Sequence, residues 1–218
     1  MFHPNDNPLD RGWVGRIEGD RMLHLAAQTL QSLFLNGLNA REHAEYPLAE
    51  VTLLVPVQYP PTVRVFSEDG VFRFANSTAV IGDNVPVPGI EALRARARIA
   101  AVIGAGGEIG GYSALLEWVD PAARPEVKQS DFGLVLGPTV VTPDELDPSS
   151  VGVRLRGDTD VSASSDGFSW GDAVGLAGRR TTLRPGDVLA GPPLADVEAT
   201  SGAELEIDGV GPLRAPLV

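Results

Sequence analysis

The chain has 218 residues, 43% of them apolar, a formal net charge of -12 and no cysteine. That length and apolar content suit one sizeable core with a small appendage. The acidic balance argues against a nucleic-acid or anionic-membrane partner, each of which needs a basic patch, and the lack of cysteine excludes disulfides, thiolate metal sites and cysteine nucleophiles.

A cytosolic location is expected. No run reaches about 18 consecutive apolar residues, and the opening MFHPNDNPLDRG lacks the basic and apolar regions of a signal peptide. The 25 glycines and 18 prolines fall between short apolar runs, which is the punctuation of a β-rich fold with many turns.

In chain order, Gly12 to Leu25 reads as two short strands around a turn at Glu18-Gly19-Asp20. Ala26 to Asn36 reads as a short helix closed by Gly37, and Asn39 to Glu45 as a second one. Ala49 to Pro56 reads as a buried strand, followed by the break Tyr59-Pro60-Pro61. These features predict a small N-terminal module over residues 1–49 and a main domain over 50–218. Short strands follow at Thr62 to Phe66, Val71 to Phe74 and Thr78 to Ile81. After them come a helix at Tyr112 to Val119 and strands at Phe132 to Val141 and Val151 to Arg156. A helix around Trp170 to Leu176 precedes two final strands, at Asp187 to Leu189 and Glu204 to Ile207.

The segment Leu93 to Gly104, LRARARIAAVIG, is the center of the pattern. Its alternation predicts a strand with Arg94, Arg96 and Arg98 on one face and Ala95, Ala97 and Ile99 on the other. Three aligned cations suit either a solvated face paired to the chain's 29 carboxylates or an anion site.

Several segments occur in one order: VTLLVPVQYPPTVRVF, FRFANSTAVIG, RIAAVIG, SALLEWV, SDFGLVLGPTVVTPDEL, TTLRPGDVLAGPP and ELEIDGVGPLR. Together, from about Val51 to Leu213, this set resembles the fumarylacetoacetate hydrolase superfamily, and the opening RGWVGRIEGDRMLHL is similar to the small module often attached to it. The resemblance implies a mostly β fold, a β-roll with few short helices behind a small N-terminal α+β module. It also implies a homodimer, and enzymes that cleave, hydrate, isomerise or decarboxylate small β-dicarbonyl or 2-oxo acids on a divalent metal.

The residues that the family uses for that metal do not carry over. The position after Arg64 is Val65, the acidic-x-acidic pair maps to Arg96 and Arg98, and the strand carrying the third site has no counterpart beyond Asp120 to Val127. Ser130 and Leu134 flank Phe132 where a lysine and a threonine belong, and the closing threonine becomes Pro192. Adjacent arginines repel a divalent cation, so no metal and no other cofactor is expected. Ser67 to Val71 is also too short for the family's lid.

Two readings follow. In the first, the chain is a metal-independent enzyme whose Arg64, Arg96, Arg98 and Lys128 bind a carboxylate or enolate, while Glu68, Asp69 or Asp131 moves the proton. The reaction would be an isomerisation, decarboxylation, C–C cleavage or cyclisation of a small oxo compound. In the second, it is a non-catalytic binding module or partner subunit, and acids such as Glu91, Glu117 or Asp131 tie the arginines into a structural network. GLNAREHAE, with His43, and the glycine cluster GAGGEIGG read as a surface histidine and a turn rather than as a catalytic base and a dinucleotide loop.

Overall fold

The computed structural model describes residues 1–89, 93–165 and 167–218. Glu91 therefore lies outside the described residues.

The N-terminal segment contains β1 (Phe2–Pro4), β2 (Gly15–Glu18), β3 (Arg21–Leu25), a one-and-a-half-turn helix α1 (Leu30–Leu35), β4 (Glu42–Pro47) and β5 (Val51–Leu53). β2, β3 and β4 form one antiparallel sheet, and β1 pairs with β5. The expected hairpin is present. The expected second helix is not, because Gly37 and Leu38 adopt positive φ (63° and 62°) and turn the chain back. Pairing of Met22 with Tyr46 and Leu23 with Glu45 then overrides the helical propensity of this polar stretch. The expected buried strand at Ala49 to Pro56 shrinks to the three partly exposed residues of β5, which pairs among the described residues with the short β1 alone.

The main sheet is built from β6 (Val63–Phe66), β7 (Phe72–Ala75), β8 (Val80–Ile81), β9 (Leu93–Ile103), β10 (Ile109–Val119) and β11 (Leu134–Leu136). It is completed by later segments of the chain. These begin with β12 (Gly152–Arg156), β13 (Asp160–Ser164) and the helix α2 (Trp170–Ala177), continue with β14 (Val188–Ala190) and β15 (Ala195–Ala199), and end with β16 (Gly202–Ile207) and β17 (Gly211–Pro216). The main sheet runs β7-β6-β14-β9-β10-β11-β8, with β15 added to the free length of β9. A second, antiparallel sheet runs β13-β12-β16-β17.

Tyr112 to Val119 is a strand, not the expected helix. Every residue from Gly111 to Val119 is buried, so both faces are covered. A strand buried on both faces loses the alternation that would distinguish it from a helix. β8 and β11 are also shorter than the runs Thr78 to Ile81 and Phe132 to Val141 suggested. β13, β15 and β17 are additions to the sequence reading.

The long hairpin of β9 and β10 divides the core. One face of β9, with Ala95, Ala97, Ile99, Ala101 and Ile103, joins Leu116 and Trp118 of β10 and Leu155, Leu205 and Leu213 of the second sheet in one cluster. On the other face, Ala100, Val102 and Leu115 pack with Val63, Val65 and Phe34 of α1. Beyond that cover the same face of β9 continues as Arg98, Arg96 and Arg94. No helix among the described residues is long and apolar enough to cross a membrane.

Candidate functional site

The three arginines stand on one face, as the alternation predicts, and border an open cleft of about 1320 Å³. Their neighbors follow from register. Arg96 lies opposite Glu117 of β10 on one side and opposite Asp196 of β15 on the other, and directly opposed residues are the close side-chain neighbors in a sheet. On the far wall, Val65 of β6 is paired with Arg73 of β7, which brings a fourth guanidinium over the cleft.

Arg98 is buried and fully engaged. Its Nε donates to Glu117 Oε2 at 2.8 Å, and Nη1 donates to the carbonyls of Phe66 and Gly191 at 2.9 and 2.6 Å. Its Nη2 lies 2.7 Å from Glu117 Oε2. Burial lowers the Arg98 pKa from its ordinary value. The charge and hydrogen bonding of Glu117 oppose that shift, and the like charges of Arg96 and Arg73 add to it. The other oxygen of Glu117 accepts from Arg73, whose Nη2 also donates to Ser130 at 2.7 Å.

Arg94 and Arg96 share a single carboxylate. Their Nε atoms donate to the two oxygens of Asp196 at 2.8 and 3.0 Å, and Arg94 lies 3.6 Å from Glu198. Arg96 makes no other hydrogen bond among the described residues, and its side chain is one-third exposed to the cleft. Four guanidiniums therefore meet three carboxylates, Glu117 and Asp196 at the floor and the more exposed Glu198 at its edge. The terminal nitrogens of Arg96 remain available.

The other expected site residues divide. Glu68 and Asp69 line the cleft from the turn between β6 and β7. A hydrogen bond from Ser67 holds Asp69 below the usual carboxylate range, which weakens it as a base. Arg64 does not join the arginines. It projects from the opposite face of β6 and is buried, accepting no role in the cleft. It donates to Thr62 at 2.7 Å, lies 3.7 Å from Asp187, and packs against the rings of Phe72 and Phe74. Lys128 and Asp131 pair with each other on the loop beside the cleft and do not line it. Arg73 and Asp196 also belong to the site, and no local pattern in the sequence marks them. Register carries the signal for Arg73, because a tight turn at Ser67 to Gly70 places it opposite Val65.

A divalent ion does not fit this donor set. Among the described residues no three His, Asp or Glu side chains gather to hold one. Both oxygens of Glu117, the one acid on the floor of β10, are already taken by guanidiniums, and a hard cation needs several free oxygens.

Among curated proteins none matches the sequence significantly. Solved structures share the fold. Maleylpyruvate hydrolase from Sphingobium sp. SYK-6, in complex with manganese(II) and pyruvate, superimposes with a TM-score of 0.79 at 22% identity, over 96% of this chain and 97% of that one. The 5-carboxymethyl-2-hydroxymuconate delta-isomerase from Mycobacterium smegmatis gives 0.73 at 24%, over 94% of each chain. A 2-keto-3-deoxy-D-arabinonate dehydratase complexed with magnesium and 2,5-dioxopentanoate gives 0.75 at 14%, over 93% of each. The sequence model of the fumarylacetoacetate (FAA) hydrolase C-terminal family matches residues 32–218. With the order of motifs and the topology of the sheets, that match over most of its length means that the chain belongs to the fumarylacetoacetate hydrolase family.

Proposed function

We propose that this chain binds a small oxo-acid or β-dicarbonyl anion in the arginine cleft without a divalent ion. The observation that supports this reading is the hydrogen bonding of the floor, where Glu117 and Asp196 are shared among Arg73, Arg94, Arg96 and Arg98 and the terminal nitrogens of Arg96 face the cleft with no partner among the described residues. A ligand carboxylate would take those nitrogens through charge-assisted hydrogen bonds, and guanidinium geometry suits it. The solved relatives whose ligands are pyruvate and 2,5-dioxopentanoate point to the same ligand class.

In the catalytic form of this reading, the cations stabilise the enolate that forms when a proton leaves the carbon beside the carbonyl. Glu68 or Asp69, the carboxylates of the β6–β7 turn that border the same cleft, would accept that proton. Isomerisation and cyclisation of an oxo acid reach that enolate by losing the proton, whereas decarboxylation and C–C cleavage reach it by breaking a C–C bond and then take up a proton from the same acid. The chain would act as a homodimer, which light scattering would test.

The non-catalytic reading has its own support: Arg94, Arg96 and Arg98 each have an internal carboxylate partner, and Asp131 stands outside the cleft. Proton NMR of pyruvate in D2O separates the two. An enzyme exchanges the methyl protons faster than buffer does, and the exchange falls in Glu68→Gln/Asp69→Asn. A binding module holds pyruvate and leaves the exchange rate at the buffer value.

A further inference from the structure

A second cleft, of about 920 Å³, opens beside the first. The two meet along Phe66, Glu68, Pro193 and Leu194, which border both, so a ligand lying over this saddle reaches both. Their chemistry differs. The first is floored by guanidiniums, whereas Phe168, Ala173, Leu176 and Pro192 give the second an apolar lining, with Asp172 and Arg179 among its polar members. The lining is held by aromatic packing: the ring of Phe168 meets Phe66 at 5.6 Å and Trp170 at 4.9 Å, both edge to face.

The wall contributed by α2 is bare. Gly171 and Gly175, one turn apart and on the same side of the helix, both border the cleft, and a Cβ built on either meets nothing within 4 Å. Glycine disfavors a helix interior relative to alanine. The helix thus forgoes propensity at the two positions where a side chain would narrow the cleft.

Resting on the anion-binding reading above, we infer that the ligand is an oxo acid with an apolar substituent of about aryl size. Its carboxylate meets Arg96, and its arm crosses Pro193 and Leu194 to lie on Phe168, Leu176 and the bare face of α2. Burying a ring of that size against apolar side chains accounts for a tenfold or greater gain in affinity.

Calorimetric titration with pyruvate and with 2-oxo-4-phenylbutanoate tests this. The wild type should bind the phenyl compound at least tenfold tighter than pyruvate. Gly175→Leu, which fills the second cleft while favoring the helix, should bring the ratio of the two affinities close to one, and Gly175→Ala should fall between. Arg96→Gln should weaken both ligands. Equal affinities in the wild type, or a preference that survives Gly175→Leu, would overturn the inference while pyruvate binding sensitive to Arg96→Gln kept the anion site intact. Binding of neither compound would overturn both.

Discussion

The Nη2 of Arg98 lies 2.7 Å from Oε2 of Glu117, and the two side chains retain only 4% and 0% of their exposure. A charge pair this deep is held by complementarity. The guanidinium also satisfies two carbonyls, and the carboxylate also receives Arg73. Breaking one partner of a buried pair leaves the other charged and desolvated.

Arg98→Gln should therefore destabilise the fold by roughly 3–5 kcal/mol, read as a lower urea midpoint at unchanged slope. Replacing both partners, as Arg98→Met with Glu117→Leu, should recover much of that loss. A loss below about 1 kcal/mol in the single variant would show that the pair is not structural.

Arg96 should behave in the opposite way. It and Asp196 are both about one-third exposed (34% and 29%), so their pair is worth at most about 1 kcal/mol. Arg96→Gln should leave the melting temperature nearly unchanged while removing anion binding. A large drop in melting temperature with binding intact would make Arg96 structural.

The balance of acid and base on this sheet face also predicts how a metal site would arise. Arg96→Glu with Arg98→Glu would place two carboxylates on β9 beside Glu117, an oxygen-rich set suited to a hard cation. The doubly substituted protein should lose stability alone and regain it with millimolar manganese, because binding to the folded state alone stabilises it by mass action. The wild type should show no such shift. No rescue in the variant would mean that these three positions do not converge.

In the N-terminal sheet, the ring of His24 stacks on Trp13 at 4.6 Å and lies 5.4 Å from that of His43. Burial, then the charge of His43, lowers the His24 pKa. The folded state thus favors neutral His24 more than the unfolded state does. Its contribution to stability is present above the unfolded value of about 6.5 and is lost as pH falls through the depressed folded value. Stability should drop on acidification below about pH 6.5, with a change in Trp13 fluorescence, and His24→Gln should flatten both. A pH-independent midpoint in the wild type would contradict this.

Much of this architecture is legible in the sequence where local pattern and tertiary environment agree. The arginine strand shows its two faces because one is apolar throughout. SALLEWV conceals its strand because burial on both sides erases the alternation, and Glu117 therefore gives no hint of which face it joins. Arg73 and Asp196 enter the site only through register with β6 and β9, which no single segment encodes. Arg64 is misleading for the same reason: one residue along a strand moves a side chain to the other face. Lys128 and Asp131, three apart, satisfy each other locally and have no need of the cleft.

A small oxo acid that binds on Arg96 needs no divalent ion. Calorimetric titration of pyruvate into EDTA-treated protein, wild type and Arg96→Gln, tests it most directly. Saturable binding is expected in the wild type, not strengthened by added manganese and weakened at least tenfold in the variant. Binding that requires manganese, or that is equal in the two proteins, would contradict it.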